Sequence, residues 1–288
     1  MIDTTLSTDQ ITPSCTKCNY NLSGIDLSAN CPECGERIIN ECMFCDYDLS
    51  NTDPNNPCPE CGVPVLCSIG NSAFASVSTE QLKSVHTGFK LVTMLILLYI
   101  VSVIATMVLS FALLTNAPDL NYLFTVVAAV VNNAIIFGII VGWFKMIQPL
   151  KGLPSLIDAP DKRTFVRAML WVFTGITVIT LIYGFIPSAQ SDALSVIDIA
   201  FGIFYIFSLV FMLALFISNV MYIGWFAKLV RNKKMAKRSK HFVWSGPLIA
   251  ILGFPLLFLG PLITLVLYWN QIEYIRRDLK KIIQTRHA

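Results

Sequence analysis

Hydrophobic and polar positions divide the chain into two unlike stretches. Up to residue 88 the apolar residues are short and scattered among polar ones. From residue 89 five long apolar runs follow one another, at 89–115, 121–147, 164–187, 196–227 and 243–269. A helix rises 1.5 Å per residue, so each run is long enough to cross about 30 Å of hydrocarbon. The pattern predicts an all-α transmembrane bundle of about five helices over residues 89–270. Ahead of it lies a Ser/Ala/Thr-rich linker, 68–88, in which Ser78 and Gln81 have capping-box spacing and predict a helix start near residue 79. Behind it, from 271 to 288, Ile272, Ile275, Leu279, Ile282 and Ile283 share one helical face, with basic residues on the other. That is the pattern of an amphipathic helix on lipid or on a partner, or of a solvated extension of the fifth helix.

The fifth run is irregular. It holds Pro247, Pro255 and Pro261, with Gly246, Gly253 and Gly260 beside them, and Trp244 and Trp269 at its flanks. Its 27 residues would reach about 40 Å as a straight helix. Length therefore favours a kinked full crossing that leaves the tail outside. Charge favours a re-entrant segment with the tail inside, because Arg276, Arg277, Lys280, Lys281 and Arg286 follow it. The expectation adopted from length is a full crossing.

The polar stretch contains an internal repeat. Residues 15–35 read CTKCNYNLSGIDLSANCPECG and residues 42–62 read CMFCDYDLSNTDPNNPCPECG, with 11 of 21 positions identical. Each copy is C-x2-C-x12-C-x2-C. Two residues between cysteines let one tight turn aim both sulfurs at a single ion, and twelve between the pairs allow a short hairpin that brings the turns face to face. The expected metal ligands are Cys15, Cys18, Cys31 and Cys34 in residues 15–40, and Cys42, Cys45, Cys58 and Cys61 in residues 41–67. Repeat symmetry favours two separate sites, and a pairing of Cys31/Cys34 with Cys42/Cys45 is the alternative. Two structural Zn2+ ions are expected, with a rubredoxin-like iron as the lesser reading. Gly35 and Gly62 are suited to positive φ after the last ligand. Tyr20 with Leu22, and Tyr47 with Leu49, are predicted to cover each metal. Cys67 is left over, and residues 1–14 are read as a disordered N-terminus.

These CxxC-x-Y-x-L…CPECG residues resemble a family of bacterial zinc-ribbon membrane proteins. The resemblance covers residues 15–62. It implies an architecture, metal in the ribbons and a membrane anchor behind them, and no activity. The fold expected is two small zinc ribbons, built as short β hairpins, in front of the helical bundle.

Composition agrees with a chain divided between water and lipid. Charged residues make up 14%, against roughly 25% in soluble domains, and the mean hydropathy is +0.65. The first 14 residues have neither a basic region nor an apolar core, so no signal peptide is expected, and reduced, metal-bound cysteines fit the cytosol. All 21 Lys and Arg residues fall before the first run, in the second and fourth connections, or in the tail. The positive-inside rule then places the ribbons on the cytoplasmic face of a bacterial inner membrane, with Asp119 and Asp192 outside. A net charge of +3 gives no case for nucleic acid, and the basic stretch 228–241 reads as a loop beside anionic headgroups.

No HExxH, GxSxG or P-loop motif occurs, so no enzyme is expected. Within the runs Asn132, Asn133, Asp198 and Asn219 are the polar candidates, better read as helix–helix contacts than as a transport path. His86, His241 and His287 fall outside the runs and read as surface residues. The expected function is a membrane-anchored protein-binding or scaffold module whose ribbons engage a cytosolic protein. A channel or transporter with the ribbons as a regulatory cap is the alternative. Nothing in the sequence specifies a partner, a substrate or an oligomeric state.

Overall fold

The computed structural model describes residues 13–285 except 16, 19, 26–28, 37, 39–40, 54–55, 70–71, 75–76, 117, 154–156, 185–195 and 254–258. The predicted loop at 188–193 with Asp192, most of the N-terminus, Pro255, Arg286 and His287 therefore lie outside the described residues. Six helices follow the ribbon region: α1 (Thr79–Asn116), α2 (Pro118–Met146), α3 (Pro160–Gly184), α4 (Val196–Leu229), α5 (Lys233–Leu252) and α6 (Leu259–Thr285).

Four of these helices are long and apolar enough to cross a membrane, over Thr79–Leu113, Leu123–Met146, Pro160–Ile182 and Ile199–Leu229. Only 11–22% of their most apolar windows is buried inside the protein, which leaves most of that surface free to face lipid. Met94, Leu98, Val101, Val108 and Phe111 on α1, and Ile206, Phe207 and Val210 on α4, all point outward. α1 starts where the spacing of Ser78 and Gln81 implies: the Ser78 hydroxyl accepts the Gln81 N–H at 3.3 Å. The helix therefore begins inside the segment read as linker. α1 and α2 cross closely through glycine. A Cβ on Gly88 would stand 2.9 Å from the Gly142 carbonyl oxygen, and one on Gly138 would stand 2.6 Å from Leu95.

The fifth run is not a crossing helix, which corrects the expectation of about five spans with the tail outside. It is divided between α5 and α6, which lie antiparallel in one continuous register. Asn232 Nδ2 donates to Asp278 at 2.6 Å, Ser239 Oγ to Gln271 Oε1 at 3.0 Å, and Thr264 Oγ1 to the Gly246 carbonyl at 3.1 Å. At the far end Gly253 and Gly260 touch backbone to backbone; a Cβ on Gly253 would lie 2.5 Å from Gly260 Cα. The physical reason is that 243–252 and 259–269 supply about ten apolar residues each, enough for half a bilayer and not for a crossing. Proline interrupts a single helix, and a turn between two short ones satisfies the backbone better.

The tail consequently returns to the ribbon end. α6 packs antiparallel to α1: Trp269 Nε1 donates to the Thr93 carbonyl at 3.0 Å, and Arg276 and Lys280 stand near His86. Ile272, Ile275, Leu279, Ile282 and Ile283 are buried in one core with Leu82, Val85 and Phe89 of α1. The apolar face seen in the sequence thus meets a helix of the same chain. Glu273, also buried there, is held by Arg276 and Arg277, which keep its carboxyl below the usual range against the opposing effect of burial. At the start of α3 the buried Arg163 makes a two-armed ion pair with Asp158.

Replacing Gly260 with Leu should drive the two arms apart and lower stability by about 2 kcal/mol, read as unfolding of the detergent-solubilised protein. Full stability in that variant would rule out the glycine crossing. A reporter fused after Thr285 should report the same side of the membrane as one fused ahead of residue 13. Opposite sides would restore the fifth crossing.

Candidate metal centres and their docking face

Each half-ribbon is the same small device. The N–H of the first cysteine donates to the carbonyl five residues on: Cys15 to Tyr20, Cys31 to Glu36, Cys42 to Tyr47 and Cys58 to Val63, all at 2.8 Å. This closes the turn, and in the three turns where the residue after the second cysteine is described it takes a left-handed conformation, with φ of 68° at Gly35, 72° at Gly62 and 62° at Asp46. Glycine adopts that conformation freely and aspartate tolerates it, which is why CPECG and CMFCD both work. A single antiparallel bridge closes the base of three of these turns: Ser14 with Asn21 around Cys15–Tyr20, Glu41 with Asp48 around Cys42–Tyr47, and Pro57 with Pro64 around Cys58–Val63.

The turns bring the cysteines together as two groups, Cys15, Cys18, Cys31 and Cys34, and Cys42, Cys45, Cys58 and Cys61, with all sulfurs in each within 4.8 Å of one another. Each repeat makes its own site, and the cross-repeat pairing does not occur. Sulfur separations are 3.6 Å for Cys15–Cys34 and Cys18–Cys31, 3.5 Å for Cys42–Cys61 and 3.6 Å for Cys45–Cys58. Disulfide sulfurs stand about 2.05 Å apart. Four sulfurs at about 2.3 Å from a tetrahedral ion stand about 3.8 Å apart. The spacing fits a closed four-thiolate metal site.

Electrostatics point the same way. At Cys42 burial opposes ionisation, but the backbone of Phe44 and Cys45 outweighs it and brings the thiol down to about 7. At Cys45 burial and the neighbouring Cys42, Cys61 and Cys58 push the thiol up to about 12. One thiolate in the group suppresses the next. A divalent cation at the centre removes that conflict and lets all four ionise.

Leu22 and Leu49 are buried as expected, in a core shared by both ribbons with Ile38, Val65 and Ile69. The tyrosines are not part of the cover: Tyr20 and Tyr47 are 40% and 41% exposed. Cys67 belongs to neither cluster. It is buried beside Met43, Val63 and Phe74, and burial pushes its thiol up to about 12.

Among the described residues, the contacts between ribbons and helices come from the second ribbon. Its first turn, residues 41–46, sits on the α4–α5 junction. Lys228 Nζ donates to the Phe44 carbonyl at 2.7 Å and lies over the Phe44 ring at 5.7 Å. Lys233 pairs with Glu41 and, at 3.4 Å, with Asp46. Met43 enters the helical core, and its N–H donates to Ser68 Oγ at 3.2 Å. Sequence reasoning missed this face, although the signal was present in the repeat. Where the second copy reads ECMFCD, the first reads SCTKCN, with no Met-Phe pair and no acids.

The intramembrane candidates do not assemble into a site. Asn133 donates back to the Ala129 carbonyl of its own helix at 2.8 Å. Asn219 is buried near Tyr268, and its side-chain oxygen has no hydrogen-bond partner within ordinary distance among the described residues. Asn132 likewise has an oxygen without a hydrogen bond. The side chain of Asp198 is outside the described residues. His86 is half-buried within α1, and His241 is exposed.

Comparison with protein-family models, curated proteins and solved structures returned no match. The likeness to zinc ribbons therefore rests on the two four-cysteine clusters themselves.

The purified chain should carry close to two zinc ions. Cys31→Ser with Cys34→Ser should remove one, and acidification should release both as thiolates take up protons. A metal content near zero by elemental analysis would remove the basis of the sites. Met43→Asp should undock the second ribbon and make Cys67 reactive to maleimide while the metal-bound cysteines stay protected. An unreactive Cys67 in that variant would refute the docking face.

Proposed function

We propose that this is a multi-pass membrane protein in which two structural zinc ribbons are fastened to the helices by the second and presented to a cytosolic protein by the first. The observation that carries this reading is the asymmetry between the copies. The second ribbon spends its first turn, Glu41 to Asp46, on α4 and α5. The corresponding turn of the first ribbon carries Lys17 and Cys18 at the surface, with Tyr20, Pro32, Glu33 and Glu36 exposed around them. A closed metal site has no open coordination position for catalysis, and its rigid turns suit recognition.

A cytoplasmic setting for the ribbons is supported by charge. With α6 folded back, the basic residues of the second and fourth connections and of the tail fall at the ribbon end, the distribution the positive-inside rule assigns to the cytosol. Lipid is then the partner of the outward apolar faces of α1–α4. Zinc is favoured over iron because the sites are closed and no redox motif accompanies them. The channel reading has less support. Among the described residues no acidic or basic side chain is buried in the apolar middle of α1–α4, and such groups mark most ion paths. Nothing in the charge pattern or the fold calls for nucleic acid as a partner.

A photo-crosslinking amino acid at Tyr20 in cells should give an adduct with a second protein, whereas one at Met43 should link only within the chain. Solute flux in liposomes holding the purified protein, together with no adduct at Tyr20, would favour the channel instead.

A further inference from the structure

Arg231 is the group the docked ribbon leaves unaccounted for. It lies in the short connection between α4 and α5, with φ of 58°. A left-handed arginine is uncommon and persists where its surroundings hold it. Here the next residue, Asn232, caps α5 by accepting the Met235 N–H at 3.0 Å, and the Arg231 N–H donates to the Lys228 carbonyl at 3.0 Å. Part of the side chain is reached by water, but both terminal guanidinium nitrogens are enclosed and have no hydrogen-bond partner among the described residues. A guanidinium stays charged and offers five donors, so enclosing it without a counter-charge is unfavourable.

Its neighbours indicate where it faces. Three residues earlier Lys228 grips the Phe44 carbonyl, and two residues later Lys233 pairs with Glu41 and Asp46. Cys42 lies between those anchor points on the ribbon turn. Burial pulls Arg231 down to about 10, and the charge of Cys42 acts against that pull. We propose that Arg231 is the counter-charge of the metal centre in the second ribbon, tying metal occupancy there to the seating of the ribbons on the α4–α5 junction.

This inference rests on the zinc reading of the clusters. Four thiolates around a divalent cation leave a net charge of about −2, and one enclosed guanidinium offsets half of it. The first ribbon has no such group among the described residues. Its own Lys17 is exposed and pairs with Glu36 at 3.6 Å. The two sites, near-identical in their sulfurs, therefore differ in their surroundings, and the second should hold metal more tightly. Arg231 is a positioning residue, acting on the centre through charge and not as a ligand.

The test uses the full chain in detergent in two backgrounds. Cys31→Ser with Cys34→Ser leaves only the second site, and Cys58→Ser with Cys61→Ser leaves only the first. Arg231→Gln removes the charge and keeps much of the size, whereas Arg231→Lys keeps the charge at the same backbone strain. Zinc transfer to a chromogenic chelator should show about tenfold weaker retention for Arg231→Gln at the second site, in line with losses on removing outer partners of metal ligands. Arg231→Lys should retain most of it, and neither change should affect the first site. With cobalt in place of zinc, the sulfur-to-metal charge-transfer band should shift for Arg231→Gln at the second site only. Equal retention in Arg231→Gln and the parent, equal loss in Gln and Lys, or the same loss at both sites would overturn the proposal while leaving the zinc reading intact. No metal in either background would overturn both.

Discussion

In hydrocarbon no water completes a broken backbone hydrogen bond, so every peptide group inside a bilayer must find its partner within the protein. That constraint organises the whole helical part of this chain. It makes α1–α4 continuous helices and leaves their apolar sides to lipid. It also accounts for the α5–α6 hairpin. A helix interrupted by proline in mid-membrane would expose carbonyls, whereas two short helices can each keep their own hydrogen bonds and pack backbone to backbone where Gly253 meets Gly260. The polar side chains in this seam, Ser239 with Gln271 and Thr264 with the Gly246 carbonyl, bond across it and pin the register.

The hairpin has a consequence at the surface. Because α6 returns, the basic tail, the basic α4–α5 junction and the ribbons share one end of the molecule. The second ribbon uses that concentration of charge. Glu41 and Asp46 meet Lys233, and the Phe44 carbonyl and ring meet Lys228. Ion pairs as exposed as these contribute little individually. The burial of Met43 and Val63 beside Cys67 and Phe74 supplies the apolar part, and the charges set the orientation.

The two ribbons share their metal geometry and differ in what surrounds it. The cysteines, the CPECG turn and the buried leucine are common to both, since metal geometry and a minimal core demand them. The difference lies at the tip of the first turn. There Thr16 and Lys17 stand in one copy and Met43 and Phe44 in the other.

The metal clusters were legible in the sequence because ligand spacing is local: two residues within a turn and twelve between turns leave one compact solution. The four long spans were legible because lipid imposes length and composition on any single helix. The start of α1 was legible in the capping pair, and so was the apolar face of α6. The path of 243–269 was not, because its length suits a kinked helix and a hairpin alike; only the contact of Gly253 with Gly260 and the packing of α6 on α1 chose between them. Tyr20 and Tyr47 were misjudged because strand-like alternation tells which residues share a face and not which face turns inward. By itself, then, the sequence determined the two four-cysteine clusters, the four membrane-capable helices and the clustering of basic residues, each set by neighbours close along the chain. Tertiary structure alone decided the return of the tail, the docking of the second ribbon and the enclosure of Arg231, because each joins segments far apart in sequence.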